Sequence, residues 1–186
     1  METQTLYFSS SGPENTSATL QAAAARAREL GLRQVVVATS TGKTALLAAQ
    51  ASPDWKVIAV TLARGLWDKY VGPDPETVRE AEAKGVAFLT CPHALMGSVD
   101  GAIRDKFGGL PAQQLISYVF YTFSQGTKVA VECLLMAADA GRLDMTQEVI
   151  AIAGTEYGAD TALVLKPVYS HDFFSLAVRE IIAKPR

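Results

Sequence analysis

The sequence predicts an α/β fold with a parallel, doubly wound sheet, and three observations lead there. Short β-branched or apolar runs alternate with helix-forming stretches along the first half of the chain, the pattern of successive βα units. The run at 35–37 is apolar and β-branched without alternation, as a strand buried on both faces is. The strand-to-helix turns are rich in Ser, Thr, Gly and Asn, which supply hydrogen-bonding groups and tolerate tight backbone geometry. With 186 residues, 49% hydrophobic and 19% charged, the chain suits one domain over 1–186 with a substantial core.

Thr5-Leu-Tyr-Phe8 reads as the first strand, followed by a polar turn and a helix over 19–30 that Thr16 or Ser17 caps and Gly31 ends. Val35-Val-Val37 is the second strand, with a helix over 44–50 behind it. Lys56-Val-Ile-Ala-Val-Thr61 is the third, and an irregular loop over 62–75 carries Arg64, Trp67, Lys69 and Tyr70. Aromatics in such a loop either stack on a ligand or anchor the loop to the core. An acidic-start helix over 74–85 leads into a fourth strand, Val86-Ala-Phe-Leu-Thr90. Residues 96–109 read as a short helical or irregular crossover. Pro111 then opens a helical tract with Leu115, Ile116, Val119, Phe120 and Phe123 on one apolar side. After a break at Gly126, a low-polarity helix over 128–140 carries Lys128 and Glu132 at i,i+4 spacing. Strands follow at 148–153 and 161–167, and 172–184 reads as a closing helix with Phe173, Phe174, Val178, Ile181 and Ile182 facing inward.

Candidate functional residues collect where strands run into turns. The second strand passes directly into its helix through Ala38-Thr-Ser-Thr-Gly-Lys-Thr44. A helix start offers free N–H groups and the positive end of the helix dipole, so it can seat a phosphate or carboxylate. Thr39, Ser40, Thr41 and Thr44 add hydroxyl donors, Gly42 allows close approach and Lys43 adds charge. The alternative is a polar turn in which Thr39 or Thr41 only caps the helix, and residue types leave both open. The glycine spacing is not that of a nucleoside triphosphatase P-loop.

A parallel sheet would bring Gly12, Glu14, Asn15 and Thr16 to the same rim, either as ligand contacts or as an ordinary connection. Cys91-Pro-His93 ends the fourth strand there too. A Cys–His nucleophile needs a third, orienting group that the sequence does not identify, so His93 reads as a ligand contact or a loop-ordering residue. Gly154, Thr155, Glu156, Gly158, Asp160 and Thr161 form a loop able to grip a polyhydroxyl chain or a heterocycle edge, with Asp160 equally suited to a cap or turn.

The composition excludes several classes. A net charge of −2 is not that of a general nucleic-acid binder. No apolar run is long enough to span a bilayer, and no secretory pattern opens the chain. Cys91 and Cys133 lack metal-type spacing, and free thiols in a reducing cytoplasm are expected, with no metal.

The segment from Val35 to Ala45, followed after one helix by Lys56-Val-Ile-Ala-Val-Thr61, resembles the carboxyl-terminal α/β domain of pyruvate kinase. There a Thr-x-Ser-Gly-Arg-Ser/Thr-Ala loop binds a phosphate of an allosteric sugar bisphosphate. The resemblance gives that role to Thr39, Ser40, Thr41, Gly42, Lys43 and Thr44, with Lys43 in place of the arginine. Further motifs resemble the stand-alone prokaryotic proteins of this type: Ser11-Gly-Pro-Glu-Asn-Thr16, His93-Ala-Leu-Met-Gly97, Lys106-Phe-Gly-Gly109, the stretch from Ser124 to Glu132, Met136-Ala-Ala-Asp-Ala-Gly141 and Gly158-Ala-Asp-Thr-Ala162. The 62–75 loop departs from the pattern, which places a histidine just after the third strand.

The resemblance implies a three-layer, five-stranded, mostly parallel sheet with its last strand antiparallel, and bound flavin mononucleotide (FMN) in some members. It implies no pyruvate kinase activity, because the catalytic barrel's residues are absent from this sequence. The leading expectation is a cytoplasmic FMN-binding protein, with the phosphate on 39–44, the ribityl chain near Glu14, Asn15 and Asp160, and the ring near His93 and residues 155–158. Redox catalysis would then belong to the flavin. The alternative is a non-catalytic sensor of a sugar phosphate or another phosphorylated metabolite. A phosphate-handling hydrolase is weakest, since neither a metal cluster nor an aspartyl nucleophile is evident. The expected partners are a small phosphorylated molecule and a second copy of the chain, not nucleic acid or membrane.

Overall fold

The computed structural model describes residues 2–186. Among these, thirteen regular elements follow in chain order: β1 (Leu6–Phe8), α1 (Thr16–Leu30), β2 (Gln34–Ala38), α2 (Lys43–Ala51), β3 (Lys56–Val60), α3 (Pro75–Ala83), β4 (Ala87–Leu89), α4 (Val99–Phe107), α5 (Ala112–Tyr121), α6 (Gln125–Asp139), β5 (Val149–Ala153), β6 (Thr161–Lys166) and β7 (Ala177–Pro185), with short 3₁₀ turns between some of them. The strands form one seven-stranded sheet in the order β1-β7-β6-β5-β2-β3-β4. β2 pairs parallel with β3 and β5, and β3 parallel with β4. β6 is antiparallel to both β5 and β7, while β7 pairs parallel with β1.

The sheet therefore has seven strands where the resemblance implied five and the residues suggested six, and the seventh comes from a misassigned element. Residues 177–185, read from sequence as part of a closing helix, are strand β7; a 3₁₀ segment, Ser170–Ser175, precedes it. Val178, Ile181 and Ile182 are spaced as a helical face would be, but β-branched side chains favour a pleated surface. β7 also fills the slot between β1 and β6. Phe174 and Val178, expected inside, are exposed. β6 is reversed, as expected of the strand at 161–167, but it is not the last strand.

The sheet's two faces are covered separately. Val35, Val37, Ile150 and Ile152 point to one face and pack with α1, α2 and α3; Val36, Val149 and Ala151 point to the other and pack under α6. The small residues Ala23, Ala24, Ala27, Ala45 and Ala48 let α1 and α2 lie close to the first face. α6 is the most buried helix, with Gly126 to Cys133 and Leu134 to Ala138 closed to solvent except half-buried Val129.

α5 corrects another expectation. Ile116 and Phe120 pack on the core beside α6, but Leu115, Val119 and Phe123 are exposed. No helix among the described residues is long and apolar enough to cross a membrane.

Candidate functional site

A cleft of about 890 Å³ opens at the carboxyl ends of β2, β3 and β5. The β2–α2 loop forms one wall, with Thr39, Ser40, Thr41, Lys43 and Thr44 lining the cleft. The loop is held from behind. The Thr39 amide donates to the Val60 carbonyl at 2.9 Å, and the Asp74 amide, at the start of α3, donates to the Thr41 carbonyl at 2.9 Å. Gly42 is the N-cap of α2 at φ 100°, a region that disfavours other residues. A Cβ there would stand 3.2 Å from Thr77 Cγ2.

Thr39 and Thr41 both bond to the turn that opens α2. Thr39 Oγ1 accepts from the Gly42 amide at 3.0 Å and Thr41 Oγ1 from the Lys43 amide at 3.4 Å, which shapes the turn. No side chain caps α2 itself. The amides of Ser40, Thr41, Thr44 and Ala45 find no acceptor among the described residues. Donors pointing out of a helix start are the elements of an anion seat.

The rim residues divide. Thr16, Gly154, Glu156 and Gly158 line the cleft, together with Pro13 and Tyr157. Gly12, Asn15, Thr155, Asp160 and Thr161 do not. Glu14 faces a separate groove between α1 and α2, where Ser10 Oγ donates to its carboxylate at 3.1 Å. Asn15 Nδ2 donates to the Ser10 carbonyl at 2.9 Å. Asp160 is fully buried and knits the rim: its Oδ2 accepts from the Gly12 and Thr155 amides at 3.1 and 3.2 Å, and its Oδ1 accepts from Thr161 Oγ1 at 2.9 Å. Thr16, expected as a cap, bonds elsewhere. Its Oγ1 donates to the Pro13 carbonyl at 2.7 Å and accepts from the Ala159 amide at 2.9 Å. These bonds tie the two glycine-bearing loops together beside the cleft.

The opposite wall is α6. Gln125, Lys128, Val129, Glu132, Cys133 and Met136 line the cleft at helical spacing, one face of the helix. This face went unrecognised in the sequence, although a charged i,i+4 pair inside a low-polarity helix was its signal. Lys128 and Glu132 form a buried ion pair. Glu132 Oε1 also accepts from the Leu95 and Met96 amides, both at 2.8 Å. The 93–98 loop is pinned further by His93, which accepts at Nε2 from the Ala63 amide at 3.2 Å and lies 2.9 Å through Nδ1 from the Met96 carbonyl. His93 lines the cleft while both of its ring nitrogens are engaged by backbone, a placement that suits loop ordering and leaves its ring beside the cleft. Asp100 accepts from the Gly97 and Ser98 amides and from Gln114. Burial pushes its carboxyl up, but these bonds win and hold it below the ordinary carboxylate range.

Burial, with Glu132 adding, pushes the Cys133 thiol up, and burial with Asp139 does the same to Cys91. Neither is activated as a thiolate, and both are free. No group of His, Cys, Asp and Glu among the described residues is arranged to hold a metal ion. Trp67 braces its own loop, its Nε1 donating to the Leu62 carbonyl at 2.7 Å, whereas Tyr70 lines the cleft.

A family model described as "Pyruvate kinase, alpha/beta domain" matches residues 17–165. Among solved structures, a pyruvate kinase from Cryptosporidium parvum is 18% identical with a TM-score of 0.42, covering 80% of this chain and 22% of that one. The Cryptosporidium parvum pyruvate kinase in complex with ADP is 19% identical with a TM-score of 0.41 at the same coverage, 80% and 22%. This chain therefore spans 22% of the length of those enzymes. The match to the family model covers the greater part of the sequence, including the β2–α2 loop and all the strands of the cleft, and the chain belongs to the pyruvate kinase alpha/beta domain family.

Proposed function

We propose that this protein binds FMN in the cleft, with the phosphate on the β2–α2 loop. The observation that carries the reading is the uncapped start of α2, where four amides and the Thr39, Ser40, Thr41 and Thr44 hydroxyls surround one end of a cleft whose other wall sets Val129, Cys133 and Met136 beside the Lys128–Glu132 pair. A volume of about 890 Å³ falls in the range of cofactor sites and exceeds what a small sugar phosphate needs. Val129, Cys133, Met136, Met96 and Tyr121 offer polarizable, apolar surface for a flat ring system. Bound FMN would supply electron or hydride transfer. The chain's own residues bind the phosphate, orient the ring and shield it from water.

The second reading, a sensor of a phosphorylated metabolite without catalysis, is favoured by His93, whose two nitrogens are already committed. The two readings separate in one experiment. The visible spectrum of purified protein is recorded, and the stripped protein is then titrated with FMN. The flavin reading expects saturable binding that Thr44→Asp abolishes, because a carboxylate would then stand against the phosphate. Absence of FMN binding by the unaltered protein overturns it and turns the search to sugar phosphates. FMN binding undiminished in Thr44→Asp removes the phosphate from this loop.

A further inference from the structure

The buried ammonium of Lys128 is only partly satisfied by the protein. Lys128 is 4% exposed and lines the cleft. An ammonium carries three N–H donors. One goes to Glu132 Oε2, and no other acceptor for Lys128 is found among the described residues. Glu132 is better served, with Oε2 on the ammonium and Oε1 on the Leu95 and Met96 amides. A cation almost shut off from solvent with two donors unpaired is costly unless something else accepts from it.

The setting says what that acceptor is. Lys128 stands on α6, which packs on the sheet face opposite to α2, so it and the phosphate loop belong to different walls of the cleft. The same wall carries Val129, Cys133 and Met136, and Met96 and Tyr121 line the cleft as well, with Tyr121 Oη 3.9 Å from Met96 Sδ. Such surroundings suit a flat apolar body with one polar edge. The loop that carries Met96 is pinned by Glu132, His93 and Asp100, so this wall is organised before a ligand arrives.

We infer that Lys128 donates a hydrogen bond to a carbonyl or ring-nitrogen acceptor on the heterocyclic end of the ligand, and that Glu132 holds it there. The inference rests on the flavin reading and deepens it: Lys128 is the residue that selects a heterocycle with an acceptor edge and sets its electron affinity. A positive charge hydrogen-bonded to that edge favours the electron-rich form of the ring. A lysine that served only to neutralise Glu132 would have no such effect.

The test compares unaltered protein, Lys128→Met and the double variant Lys128→Met with Glu132→Gln. Each is checked by thermal melting, titrated with FMN, and measured for the midpoint potential of the bound FMN. Removing one charged hydrogen bond should weaken FMN binding roughly ten- to hundredfold and lower the midpoint potential. The double variant removes both charges, so a protein destabilised by an unpaired Glu132 recovers its melting temperature. If the inference holds, that variant keeps the weakened binding and the lowered potential. Recovery of both would show that Lys128 only neutralises Glu132 and would overturn the inference. So would an unchanged potential in Lys128→Met, which would place the ammonium away from the ring. Should Lys128→Met fail to fold, the double variant carries the comparison alone. Failure of the unaltered protein to bind FMN overturns the flavin reading and this inference together, whereas the other negative outcomes leave FMN binding intact.

Discussion

Asp160 shows how a residue near the cleft can matter without lining it. Its two oxygens hold the Gly12 and Thr155 amides and the Thr161 hydroxyl while it is wholly buried. The sequence marked it as a ligand contact because a carboxylate in a Gly/Thr-rich loop serves either purpose, and the distinction lies in groups 148 residues away in the chain. Asp160→Ala strands the buried Gly12 amide and leaves the part-buried Thr155 amide without its partner, and a loss of about 2–3 kcal/mol in urea unfolding is expected; a loss below about 1 kcal/mol would show that water replaces the carboxylate readily. Gly158 makes the same point sterically. It sits at φ 68°, and a Cβ there would meet Thr16 Oγ1 at 2.4 Å and Pro13 Cα at 2.7 Å. Gly158→Ala is expected to destabilise by about 1–3 kcal/mol and to weaken FMN binding, since Pro13 and Thr16 line the cleft. Calorimetry with titration of the same variant checks both.

At the level of elements, β7 is where local pattern and tertiary context parted. Its sequence satisfies a helical spacing, but β1 and β6 each offer an edge that only a strand can fill, and pairing on both sides outweighs a weak local preference. α1 is bound to it through Arg26, whose guanidinium meets both oxygens of Glu180 at 2.7 and 2.6 Å. This hydrogen bonding, with the Arg26 charge, holds the Glu180 carboxyl below its ordinary value of 4.5. The contribution is present above that ordinary value and is lost as pH falls through the lower folded one. The unaltered protein should therefore lose melting temperature more steeply below about pH 4.5 than Arg26→Ala does, while being the more stable of the two at pH 7. Parallel melting curves at every pH would mean that the pair contributes nothing. α5 carries the converse lesson. Its apolar residues are too many for one face, and Leu115 and Val119 lie outside while Ile116 packs inward. Leu115→Ser and Val119→Ser should each change stability by less than about 0.5 kcal/mol, whereas Ile116→Ala should cost about 2 kcal/mol, measured by chemical unfolding.

Across the whole molecule, the cleft joins the two layers. α2 belongs to one face of the sheet and α6 to the other, so a ligand held by both walls braces packing that the sheet alone keeps together. If FMN binds as proposed, FMN at a hundred times its dissociation constant adds about 2.7 kcal/mol of stability. A melting temperature unmoved by FMN at that excess would contradict binding to the folded state.

The βα alternation, the buried run of β2 and the β2–α2 loop were all legible in the residues, because each is a local matter of side-chain period and turn chemistry. So was the pairing of Lys128 with Glu132, four residues apart on one helix. Strand count, the placement of β7 and the division of the rim into lining and supporting residues depended on contacts between distant parts of the chain. The α6 wall emerged in the same way. A helix's apolar stripe says that it is buried, but only the sheet beneath and the loops beside it determine which of its faces meets the cleft.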